Sequence, residues 1–167
     1  AFRMEEWVRA VREGKARKES FADFACTRGW LAASVGGGSG AAEAARTFLQ
    51  LTVDAPTGPT QNARMVAAAL LGENATVEAA AKGCELSDAG LGLPLRKFVL
   101  ALMAEDEPAM ARAAHMWLQE KMEATMTHEW GAYNEVPIEV SGALALAARR
   151  HIRMSLDSNR VLTRYRD

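Results

Sequence analysis

Residues suited to chemistry are few in this chain: two cysteines and three histidines among 167 residues. The run His128-Glu129-Trp130-Gly131-Ala132 begins like the helix of zinc hydrolases, which needs a second histidine one turn after the first. Alanine stands there, and one imidazole cannot hold a catalytic zinc. Glu120 and Glu123 share one face of a helix, as a di-metal bundle requires, but the chain has no Glu-x-x-His pair to complete such a site, so they read as a solvated face. Cys26 and Cys84 have no adjacent histidine; His115 or His151 would have to reach them through the fold to make a nucleophile. Both cysteines lie in alanine-rich surroundings and read as free, buried thiols of a reducing compartment. Ser39 follows no strand, so it lacks the strained turn that exposes a hydrolase nucleophile. The glycines from Gly36 to Gly40 are not followed by the Lys-Ser/Thr pair of a phosphate loop, and they read as a surface turn. The expectation is a protein without catalysis, cofactor or metal.

The elements that hold these residues are helical. Hydrophobic residues make up 49% of the chain, enough for one domain with its own core. Alanine recurs in clusters, and strand formers never alternate over a useful length, so the fold class is all-α. Met4, Trp7, Val8 and Val11 share one face of a first helix over residues 2–13, which Gly14 ends. Ser20 is expected to cap a second helix that buries Phe21, Phe24, Leu31 and Val35, with Gly29 allowing a close neighbour. Residues 41–53 form a third helix. Thr60 is expected to cap a fourth, closed by Gly72, and a short helix runs from Asn74 to Lys82. Pro94 and Pro108 open the next two, the second behind the acidic trio Glu105, Asp106 and Glu107, which suits the positive end of a helix dipole. Residues 108–126 carry the broadest apolar stripe, including Met110, Trp117 and Leu118. Pro137 opens a last helix with Val140, Leu144, Ala147, Ala148 and His151 facing inward. Helix lengths vary and no motif returns at a fixed period, so the architecture is one domain over residues 1–167, an irregular bundle or an array of antiparallel helix pairs. A start at Ala1 rather than Met reads as the loss of an upstream portion.

Charge narrows the partners. With 20 Lys and Arg against 21 Asp and Glu, the net charge is -1, and nothing in the balance calls for nucleic acid or an anionic membrane. No apolar run approaches the roughly 18–20 residues that span a bilayer, and no secretory leader is seen, so a cytoplasmic location is expected. The surface is polarised instead. Acidic residues from Glu105 to Glu139 precede a basic end that includes Arg149, Arg150, Arg153, Arg160 and Arg164. Such surfaces orient protein partners.

Two late segments carry a likeness. The run from Gly131-Ala132-Tyr133-Asn134-Glu135-Val136-Pro137-Ile138-Glu139-Val140 through Arg150, and then Asp157-Ser158-Asn159-Arg160-Val161-Leu162, resembles the C-terminal part of helical immunity proteins from bacterial polymorphic-toxin systems. In that group an aromatic loop leads into a helix bearing a Glu and an alanine-rich face, and an Asp-Ser turn precedes the end. An alanine-rich helix ending near Leu51, and Phe98-Val99-Leu100-Ala101-Leu102 before an acidic turn, are similar too; the likeness extends over residues 41–167, with 131–162 the specific part. It implies a non-catalytic inhibitor that blocks a cognate protein toxin. Glu129, Trp130, Tyr133, Glu135 and Glu139 are then the partner-binding residues, since aromatic and oriented acidic groups make interface hot spots. Trp130 and Tyr133 could equally pin the connection onto the bundle. The alternative function is a small helical enzyme or ligand-binding domain with an internal pocket lined by His115, Cys84 or His151.

Overall fold

Alanine-rich segments bounded by glycine and proline fold here as the 3.6-residue pattern requires. In a computed structural model the helices are α1 (Met4–Arg12), α2 (Phe24–Gly36), α3 (Ala41–Leu51), α4 (Pro59–Leu71), α5 (Asn74–Lys82), α6 (Leu93–Met103), α7 (Glu107–Thr127) and α8 (Ile138–Arg149). A 3₁₀ helix spans Lys18–Ala22. The structure describes residues 4–22, 24–36, 40–55, 58–84, 92–127, 138–152 and 154, without the side chains of 22, 24, 120–127 and 138. The fold is all-α, and among the described residues no helix is long and apolar enough to cross a membrane.

Helix ends follow the residues that permit them. Gly14 takes φ +71°, and the Lys15 N–H donates back to Ala10 O at 2.8 Å, closing α1. Gly72, at φ +76°, closes α4 in the same way through Glu73 N–H and Ala68 O. Two expected caps do other work. The Ser20 hydroxyl donates to Arg17 O at 2.6 Å and accepts the Trp7 indole N–H at 3.0 Å, because the chain turns there as a 3₁₀ helix. Thr60 lies inside α4, behind Gly58 and Pro59, and its hydroxyl donates to Phe21 O. Between α6 and α7 the acidic trio divides its tasks. Glu105 adopts the left-handed conformation that ends α6, and an Asp106 carboxylate oxygen accepts the Ala109 N–H at 2.9 Å, capping α7.

Sequential helices pack in pairs, α3 on α4, α4 on α5 and α6 on α7, while α4 also meets α2 and α6. Ala63 and every residue from Met65 to Ala69 are buried in α4; these small side chains let neighbours close on several sides. An aromatic chain links the first half of the molecule. Trp7 meets Phe21, Phe21 stands edge-on to Phe48 at 4.9 Å, and Phe48 meets Trp30. Trp30, Phe21, Phe48, Phe98 and Trp117 are fully buried, each worth about 1.5–3 kcal/mol of apolar transfer.

The most extensive helix contact among the described residues joins α2 to α8, far apart in the chain. Both are apolar on nearly every face, and α8 is buried at every position from Glu139 to Ala147. They run parallel: Arg28 meets Glu139, Leu31 meets Gly142, and Ser34 meets Arg149. The close approach is made at Gly142, where a Cβ would stand 2.5 Å from Leu31 O. The expectation for His151 is corrected. It is exposed at φ +61°, because it terminates α8, with Ile152 N–H returning to Ala147 O.

Candidate functional site

Cys26 is completely buried on α2. Cys84 is partly buried beyond α5, with its thiol 3.8 Å from the Met65 sulfur. Burial pushes the Cys84 thiol up to about 11, against the pull of the nearby Arg96 guanidinium, so it stays protonated and a poor nucleophile at neutral pH. His115 and His151 are both exposed, on α7 and at the end of α8. Among the described residues no group of three or more His, Cys, Asp and Glu could hold a metal ion. A cleft of about 140 Å³ lies between α1 and α3, lined by Glu5, Arg9, Arg12 and Glu43 among others, and it contains neither Cys84 nor the two histidines of the alternative reading.

Of the residues expected to bind a partner, Glu139 is described and Glu129, Trp130, Tyr133 and Glu135 lie outside the described residues, as do His128 and Ser39. Glu139 sits in the first turn of α8 and is 8% exposed. One of its carboxylate oxygens accepts the Arg28 Nε–H at 3.0 Å, across 111 residues of chain. The pair is asymmetric: the Glu139 side chain is 10% exposed and that of Arg28 is 51% exposed. The carboxylate is thus the inner partner that orients a guanidinium facing solvent. Arg149, at the other end of α8, donates from Nε to Ser34 O at 3.0 Å, and Arg150 reaches Asn74 of α5. These basic residues fasten α8 to its neighbours. Arg153, Arg160, Arg164 and Arg166 lie outside the described residues.

Arg28 is the residue of this candidate site that sequence reasoning passed over. The available signal was its isolation, since it is the single charged residue in the α2 sequence FACTRGWLAASVG. What could not be read was its counter-ion on a helix at the other end of the chain. No family model, no curated protein and no solved structure matches this chain.

Proposed function

We propose that this chain is a non-catalytic, cytoplasmic protein-binding inhibitor of the immunity type, which neutralises a cognate bacterial toxin. Residues 129–139 lie at or beside the interface in this reading, with Arg28 at its edge. The observation that carries it is the Arg28–Glu139 pair, which anchors the first turn of α8 on α2 at the point where the aromatic and acidic connection enters the helix. A guanidinium fixed before its partner arrives loses little side-chain entropy on binding, which is what a tight inhibitor needs. The acidic and aromatic composition of residues 129–135 and the likeness to helical immunity proteins support the same reading.

The test pairs affinity with stability. The Glu129→Lys, Glu135→Lys double variant is measured against the cognate toxin, by association kinetics over a range of salt and by denaturant unfolding. Reversal of interface charges slows association and changes its salt dependence while the unfolding midpoint stays put. Unchanged affinity and unchanged association rate remove these residues from the inhibitory surface.

A further inference from the structure

We draw no further inference here: the strongest candidate, the cleft between α1 and α3 lined by Glu5, Arg9, Arg12 and Glu43, carries nothing, because its charges are of both signs, Arg9, Arg12 and Glu43 are exposed, and nothing in the structure shows what would fill it.

Discussion

Three buried polar atoms near the α2–α8 contact go without a hydrogen bond: Thr27 Oγ1, Trp30 Nε1 and Ser141 Oγ. All three residues are at most 1% exposed, so water does not compensate from the surface. An unsatisfied buried hydroxyl costs about 1–3 kcal/mol, and replacing it with an apolar group of similar shape recovers part of that. Thr27→Val and Ser141→Ala are therefore expected to raise stability by about 1 kcal/mol each, seen as a higher denaturant midpoint at unchanged slope. Cys84 gives a pH signature of its own. Its thiol titrates at about 11 in the folded chain against an ordinary value of 9.0, so between these values the folded state keeps a proton that the unfolded state has released. Stability must then fall as pH rises through that window. Urea unfolding at about pH 8 and about pH 10 should show a loss in the wild type that is smaller in Cys84→Ala.

Some helix ends could be read from sequence and some could not, for reasons visible in the residues. Gly14 and Gly72 end helices because glycine takes positive φ without strain, and both positions were legible. The same left-handed corner is occupied by Glu105 after α6 and by His151 after α8, where the side chain gives no such signal. The inward placement expected for His151 fails on that account. Glu105→Gly is expected to stabilise the chain by about 0.5–1 kcal/mol, since relief of the left-handed strain outweighs the added freedom of the unfolded glycine; thermal unfolding checks it. Ser20 and Thr60 fit the sequence pattern of caps, but their hydroxyls serve tertiary partners, Trp7 in one case and the Phe21 carbonyl in the other. Arg64 was silent in sequence for the same reason. It lies in α4, yet one of its terminal nitrogens donates to Leu49 O and Thr52 Oγ1 and holds the end of α3. The candidate site divides along this line. Glu139 was expected from sequence as a partner-binding residue, whereas its ion pair with Arg28 forms only where α2 and α8 meet.

That meeting joins two ends of the chain. α2 and α8 run parallel, so the intervening helices α3 to α7 must carry the chain back to the end from which α2 began. Gly142 sets how closely they lie. A methyl group there would stand 2.5 Å from Leu31 O and 2.7 Å from Leu31 Cβ, and both are held within a helix. Gly142→Ala is therefore expected to destabilise the whole chain by about 1–3 kcal/mol and to loosen the Arg28–Glu139 pair with it, observable as a lower denaturant midpoint. The proposed inhibitor works through this rigid pair of helices and the connection that enters it. Survival of cells that express the cognate toxin decides whether such an inhibitor is what the chain is. Co-expression of the folded wild-type chain should restore growth, and the Glu129→Lys, Glu135→Lys variant should protect less at equal abundance. A folded, abundant wild-type chain that leaves the cells dying as fast as those with the toxin alone would contradict it.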